Sequence, residues 1–505
     1  MSQIRMTFSA AALRAVGRFL HFVQDGVSAA CLGMLLAAEV AGAQQTVTLK
    51  QAVDLAQKQG YQARAAVATR DAARARDKSF TRGLLPQISL QATAPQYDRA
   101  ITAVAQPDGS TLFKPVQQTK ADASMEIAQK LPFTGGTFSI TSALQRFQVS
   151  GGAQQTLQWS SNPVIFSIDQ PILRSNTIRW DEREQDVRAD VSERQYVESR
   201  ELVALQSTNA FFDFFVAKKT LENAVFNAAT NDTLYTLNKG RLEVGKIGEN
   251  DLLQSELALL RARQSADNAR LEYERTLDAL RLSLNVDRSS ALDVAVPSDI
   301  PVFEPDTAIA VAQALANRAQ ARQLELDGIQ ARRHVSEARL NRGIGAAVTA
   351  SMGFNQTAPD VNLAYQDLLQ AQKFSLGVRV PLIQWGVRSA EVEAAKADQN
   401  RVDAVSRASR EQIAQDARYA ALQLTQARRN VALSAKADTV AQKRFEVAYN
   451  RYVIGRIGID NLYIAQNEKD QAVQQYLQAL RAYWAAYYRL RMVTLYDFEA
   501  NAPMH

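Results

Sequence analysis

Few residues of this chain have a type and spacing that could do chemistry. The nearest match to a binding motif is Gly240 to Lys246, GRLEVGK, which follows a phosphate-binding loop as far as its lysine. Ile247 then stands where a serine or threonine hydroxyl must hold Mg²⁺. The segment before it is patterned as a long helix, not as the strand that such a loop follows. A second copy of the stretch reads NRYVIGR, so nucleotide binding is rejected. Beyond an N-terminal leader, the histidines are His334 and His505, and neither has a second ligand at metal-binding spacing. His334 sits among Arg332, Arg333 and Glu337, as on a solvated helical surface. There is no GxSxG, HExxH or Cys–His arrangement, and Asp181–Glu182 and Glu249/Asp251 read as surface charges rather than an acid/base pair. The sequence predicts no enzyme, no cofactor and no metal.

What the chain does carry is repetition, which has to be settled before any fold. Arg241 to Ser255, RLEVGKIGENDLLQS, returns 210 residues later as Arg451 to Ala465, RYVIGRIGIDNLYIA. The copies share Arg241/Arg451, Gly245/Gly455, Ile247/Ile457, Gly248/Gly458 and Leu252/Leu462. A base follows the first glycine (Lys246, Arg456), and an acid/amide pair follows the second (Asn250–Asp251, Asp460–Asn461). Each copy ends a very long proline-free segment, where glycines allow the φ > 0 conformations that reverse a helix. Both are predicted to be tips of helical hairpins. Pro171 matches Pro381 at the same offset, while Ala52–Val53 and Gln62–Ala63–Arg64 match Ala310–Val311 and Gln320–Ala321–Arg322 at an offset of 258. The first half therefore holds about 48 extra residues between those landmarks.

Periodicity supplies the elements. The first repeat, 44–296, opens with a helix from Thr48 to about Arg82, stopped by Pro86. Strands follow within 86–170, at Gln87–Ala94, Ala121–Ile127, Phe138–Leu144 and Val164–Ile168, each alternating apolar with polar. Polar loops are expected at Pro95–Pro115 and Gln145–Gln158. Ser175 to Lys239 then reads as one helix of some 65 residues, about 100 Å at 1.5 Å per residue, with a return helix to about Asn285 (hairpin 175–285). A proline-rich linker, 297–305, leads to the second repeat, 306–496. That repeat holds a helix from Asp306 to Arg342, strands at Ile344–Phe354 and Phe374–Val380 within 343–380, and a second hairpin, 387–495. Disorder is expected from Glu499 in the tail, 497–505.

Composition bounds the class. The 58 basic and 52 acidic residues are interleaved, so the net charge of +6 reads as solvated helices and not as a nucleic-acid surface. Residues 1–43 read as a secretory signal peptide: Arg5, Arg14 and Arg18, then an apolar stretch from Val27 to Ala38, then Ala41–Gly42–Ala43. The one cysteine, Cys31, lies inside it, and the apolar run follows that cysteine instead of preceding it, which argues against lipidation. Past the leader no run approaches the roughly 18–20 apolar residues of a spanning helix. In an exported chain, strands with one apolar and one polar face fit a barrel crossing an outer membrane. A soluble β-sandwich uses the same alternation and stays open as the alternative. Two to six strands cannot enclose a water-filled barrel, so a barrel must be shared between copies. Alanine on several helix faces (Ala394, Ala397, Ala404, Ala408) lets neighbouring helices approach from both sides, as in the wall of a tube.

The duplicated helix–strands–helix halves, the prolines closing the last strand of each and the paired VGKIG…DLL and IGRIG…NL tips together resemble the TolC-like outer-membrane efflux protein family. The resemblance covers essentially everything after the leader. It implies a mainly α fold with β, in which an outer-membrane β-barrel shared between protomers continues into a long α-helical coiled-coil tunnel. It also implies a homotrimer in the outer membrane of a Gram-negative bacterium, contacting lipid. Such a trimer docks by its tips to a periplasmic adaptor and an inner-membrane pump, in efflux or type I secretion. The tip residues carried over are Arg241, Val244, Gly245, Lys246, Ile247, Gly248, Asp251 and Leu252. Their counterparts are Arg451, Ile454, Gly455, Arg456, Ile457, Gly458, Asn461 and Leu462. The acidic constriction of some family members falls here on Asn461 and Ile464; Asp460, one place early, or Asp251 could form such a ring instead. The resemblance further implies four strands per protomer, whereas six candidates stand in this chain. The reading from a different class is a soluble periplasmic or surface coiled-coil scaffold with a β domain.

Overall fold

A computed structural model describes residues 45–105, 109–150, 156–297, 300–301 and 303–504. The predicted leader, 1–43, lies outside the described residues. In chain order the elements are β1 (Gln45–Thr48), α1 (Leu49–Gln59), α2 (Tyr61–Gly83), β2 (Gln87–Ala105), β3 (Thr111–Leu131), β4 (Gly136–Ser150), β5 (Thr156–Ile172), α3 (Thr177–Glu243) and α4 (Glu249–Leu284). There follow β6 (Leu292–Ala295), α5 (Thr307–Asn317), α6 (Ala319–Asn341), β7 (Gly345–Ala358), β8 (Leu369–Arg379), α7 (Val387–Val453), α8 (Ile459–Thr494), β9 (Tyr496–Asp497) and β10 (Ala502–Pro503). The duplication extends to helix lengths: α3 and α7 both have 67 residues, and α4 and α8 both have 36.

Two predicted helices are each broken in two. The run from Thr48 is interrupted at Gly60 (φ −60, ψ 147) and the run from Asp306 at Arg318 (φ −64, ψ 138). These breaks stand at the 258-residue offset of the repeat. One extended residue frees the first amide of the next helix, and in the second half Glu198 Oε1 accepts from Ala319 N at 2.9 Å. That cap arrives from α3, far along the chain, so local periodicity could not reveal it.

Six strands form one antiparallel sheet in the order β2-β3-β4-β5-β7-β8. The residues predicted as loops between β2 and β3 and between β4 and β5 are largely strand, since β2 runs on to Ala105 and β4 to Ser150. The register shifts in β2 at Thr93/Gln96 and in β5 at 162–164, the latter seen against both β4 (Thr141/Ala143) and β7 (Ser161/Val164), and each breaks the alternation of its strand; Pro95 and Pro163 sit at the two places. Inside the shifts the phase is unbroken. Ile88 lies opposite Ile127, Ile127 opposite Ile140, Ile140 opposite Phe166 and Phe166 opposite Met352. The adjacent row runs Gln87, Ala128, Ser139, Ser167, Ser351 and Lys373. Successive side chains point to opposite faces, so one face of the sheet is mainly apolar, with Ser142, Arg146 and Gln372 as its polar members, and the other is mainly polar.

The chain divides into two compact units. One holds β1, α1 as far as Ala56, the α3 residues from Ser207 onward, α4 and β6. Its core is aromatic, with Phe211, Phe212 and Phe214 fully buried and Phe214 5.2 Å from Tyr273 on α4. β1 pairs in parallel with β6, two strands too short for the sequence to announce, and Lys218 reaches Asp293 of β6 at 2.5 Å. The other unit holds the six-stranded sheet, α2, the start of α3 and α5 to α8. Its core lies along α8, where Tyr483, Trp484, Tyr487 and Tyr488 stack edge to face. Arg491 joins Glu201 (3.2 Å) to Asp497 (2.8 Å). Burial disfavours the Arg491 cation, but Glu201 and Tyr487 outweigh it and raise its hold on the proton. The tail is ordered, against expectation. β9 and β10 pair, Tyr496 is buried and its hydroxyl donates to Asn501 at 2.6 Å.

Candidate functional site: the two hairpin tips

Each tip is built by the same backbone device. After α3, Lys246 N donates to Arg241 O at 2.8 Å and Gly245 N to Leu242 O at 2.9 Å. After α7, Arg456 N donates to Arg451 O at 2.8 Å and Gly455 N to Tyr452 O at 2.9 Å. This pair of bonds is the Schellman closure, which needs a left-handed residue just past the helix end. Gly245 (φ 70) and Gly455 (φ 74) supply it. The second glycine of each pair does something else: Gly248 (φ −85) and Gly458 (φ −73) are extended residues that start the return helix. The φ > 0 conformation that glycine allows is thus used by one glycine of each tip. No side chain caps α4 or α8, but Glu249 and Asp251 stand in the first turn of α4 and Asp460 in that of α8, where the helix dipole favours negative charge.

The side chains sort by exposure. On the first tip Val244 and Lys246 point into solvent, Leu253 beside them is exposed, and Ile247, Asp251 and Leu252 are half-buried. On the second, Ile454 and Arg456 are exposed in the same way, while Tyr452, Ile459 and Leu462 are buried. Among the described residues neither Lys246 nor Arg456 forms a salt bridge. At matching positions the tips therefore present an aliphatic side chain (Val244, Ile454) and a cation (Lys246, Arg456). Arg451, Asp460, Asn461 and Ile464 lie on the exposed side of the second hairpin, and Asp460 and Ile464 share a face four residues apart. Sequence reading missed an exposed leucine stripe on α4, Leu253, Leu257 and Leu260. Its spacing of four and three is a helical signal visible in the sequence. The motif GRLEVGK is helix as far as Glu243 and then the Schellman turn, a geometry with no phosphate cradle. Among the described residues no cluster of His, Cys, Asp and Glu could hold a metal, and no helix is long and apolar enough to cross a membrane.

No family model and no curated protein matches the chain by sequence. Solved structures do match its fold. The CmeC outer membrane channel of Campylobacter jejuni aligns over 88% of this chain and 85% of its own at a TM-score of 0.64, with 17% identity. This is the fold of the TolC-like outer-membrane channels. The outer membrane protein VceC of Vibrio cholerae shares it over 90% of this chain and 97% of its own (TM-score 0.64, 11% identity). The open state of the MtrE outer membrane channel of Neisseria gonorrhoeae shares it over 88% of each chain (TM-score 0.58, 14% identity). In this TolC-like fold the duplicated halves, the sheet and the glycine tips occur together as the sequence predicted.

Proposed function

We propose that this protein is a passive exit duct in the outer membrane of a Gram-negative bacterium, three copies sharing one barrel and one helical tunnel into the periplasm. One observation carries the reading: a sheet with one face apolar through its middle, open at both edges, belongs to a chain with the fold of outer-membrane channels. Lipid cannot hydrogen-bond an open edge, so such a sheet is stable in a membrane only when other copies complete it. The helices support the same assembly. None of the α7 residues before Ile413 is buried, and exposed Ala394, Ala397, Ala404 and Ala408 leave room for a neighbouring rod.

Cargo, small molecules or a secreted polypeptide, passes without chemistry, and the energy comes from an inner-membrane pump. A periplasmic adaptor docks on Arg241, Val244 to Gly248, Asp251 and Leu252, and on Arg451, Ile454 to Gly458, Asn461 and Leu462. Docking shifts a closed–open equilibrium of the hairpins. The constriction is formed by Asp460 with Asn461 and Ile464, or by Asp251. Two experiments test this. Membrane fractionation with native-mass measurement should give a detergent-dependent trimer; a water-soluble monomer or dimer would leave the scaffold reading. Reversing both exposed tip cations (Lys246→Glu with Arg456→Glu) should abolish export and adaptor co-purification while trimers persist. Export at the normal level in that variant removes docking at the tips.

A further inference from the structure

The two open edges of the sheet decide how the barrel closes. Resting on the shared-barrel reading above, we infer that all six strands of each protomer enter the barrel wall. β8 of one copy then pairs with β2 of the next, and three copies close an eighteen-stranded barrel.

The first ground is the unpartnered edges themselves. β2 and β8 end the strand order, and nearly every residue of both whose exposure is described is exposed. Closing the six strands on themselves is not open to the chain, since even the smallest membrane barrels use about eight strands. Six strands in continuous antiparallel order leave β2 and β8 running in opposite directions. A β8–β2 seam between copies is therefore antiparallel, as a closed membrane barrel needs. The faces agree as well: Ile88 and Leu90 on β2 lie on the same face as Phe374 and Leu376 on β8, so the seam continues one apolar band.

The second ground excludes the rival arrangement, in which β4, β5, β7 and β8 make the wall and the β2–β3 hairpin lies outside it. β3 and β4 pair without a register shift from Gln117↔Ser150 to Leu131↔Gly136. The apolar and polar rows cross that boundary in phase, which a hairpin outside the wall has no reason to keep. The β3–β4 turn is also fastened to the root of the wall. Asn176, whose carbonyl oxygen accepts from Arg179 N at the start of α3, donates from Nδ2 to Pro132 O at 2.8 Å. Gln170 of β5 donates to Thr134 O at 2.8 Å. Gly135 (φ +80) lies so close to Asn176 that a Cβ there would come within 2.8 Å of its Cγ.

Barrel diameter grows about linearly with strand number, so eighteen strands give a lumen about 1.5 times as wide as twelve, in the range of the porins. The wall would present Asp122, Glu126, Asp169, Lys373 and Arg379 to that lumen, on the polar face.

The test uses the full chain in a Cys31→Ser background, which is otherwise free of cysteine. Cysteines at Phe374, Leu376 or Val378 are combined with cysteines at Ile88, Leu90 or Ala92, and separately with cysteines at Phe138 or Ile140. A bifunctional thiol reagent is applied to outer-membrane preparations. The β8–β2 set should yield covalent dimers and trimers on a denaturing gel, and the β8–β4 set monomers only. Trimers that cross-link through the β8–β4 set, or give no β8–β2 product at any pair, overturn the eighteen-stranded barrel and leave the duct standing. A chain that is soluble and monomeric by native mass overturns the duct and the barrel together. Electron microscopy of the trimer in nanodiscs, read as strand count, provides a second measurement independent of cysteine placement.

Discussion

At the scale of single residues the tips separate glycines required by conformation from glycines merely present. No atom lies within 4 Å of a Cβ built on any of the four, so crowding does not explain them. Only Gly245 and Gly455 have positive φ, at 70 and 74. Placing serine at Gly245 or Gly455 should cost about 1–2 kcal/mol, the penalty of a left-handed L-residue. Serine at Gly248 or Gly458 should change stability by no more than about 0.5 kcal/mol, because an extended N-cap suits it. Thermal unfolding followed by helical circular dichroism checks this, and equal losses at all four positions would contradict it. A second residue-scale prediction concerns Asp293. Its hydrogen bond to Lys218 holds the carboxyl below its usual 3.8, against the pull of partial burial. A depressed folded-state value means that stability is present above about pH 4 and is lost as pH falls through the lower, folded value. Asp293→Asn should therefore lower the free energy of unfolding at pH 7 by about 1 kcal/mol or less for so accessible a pair. The difference from the unaltered protein should close below pH 4. A gap that is constant with pH would mean that the bridge is not what Asn removes.

At the scale of elements, the sheet's most demanding position is Gly353 on β7. A Cβ there would stand 2.1 Å from Val164 O and 2.8 Å from Ile165 Cα, both backbone atoms of β5 next to the register shift. Backbone cannot yield as a side-chain end can, so Gly353→Ala should part β5 from β7 at a cost of about 1–3 kcal/mol or more. Gly377→Ala on β8, whose nearest atom is 3.9 Å away, should be silent. The temperature at which trimers dissociate on a gel distinguishes the two; similar loss in both would mean the contact relaxes freely. The same elements show what the sequence could and could not reveal. Strand cores were legible because Ile88, Leu90, Met125, Ile127, Phe166 and Ile168 alternate with polar residues. Strand ends were not, because the shifts in β2 at Thr93/Gln96 and in β5 at 162–164 reverse the phase, and in β4 the row of Ile140 turns polar at Arg146 and Gln148, so these ends imitate loops. The hairpin tips were legible through their doubled glycines. The break at Arg318 was not, because its cap, Glu198, is a tertiary partner. The folded tail was missed for a similar reason: Tyr487 donates to Glu499 at 3.2 Å, and Phe303 stacks on Phe498.

At the scale of the whole molecule, the alternation of the sheet decides which solvent each face meets, and neighbouring residues on β7 can report it. Met352 lies in the apolar row and is exposed on the protomer, while Ser351 lies in the polar row. In a shared membrane barrel Met352 faces lipid and Ser351 faces the water-filled lumen. In a soluble sandwich the apolar row is buried in protein and no residue meets lipid. In outer-membrane preparations of the Cys31→Ser chain, Met352→Cys should react with a membrane-phase thiol reagent and resist a charged, water-soluble one. Ser351→Cys should show the reverse. Charge gives the energetic counterpart: arginine on the lipid face costs about 2–4 kcal/mol near the bilayer midplane and little on the lumen face. Met352→Arg should therefore prevent assembly in the membrane, whereas Ser351→Arg assembles and alters only the charge of the lumen. If both cysteines react with the aqueous reagent alone, the apolar band does not lie in lipid. The rows running from Ile88 to Met352 would then have to be buried against protein.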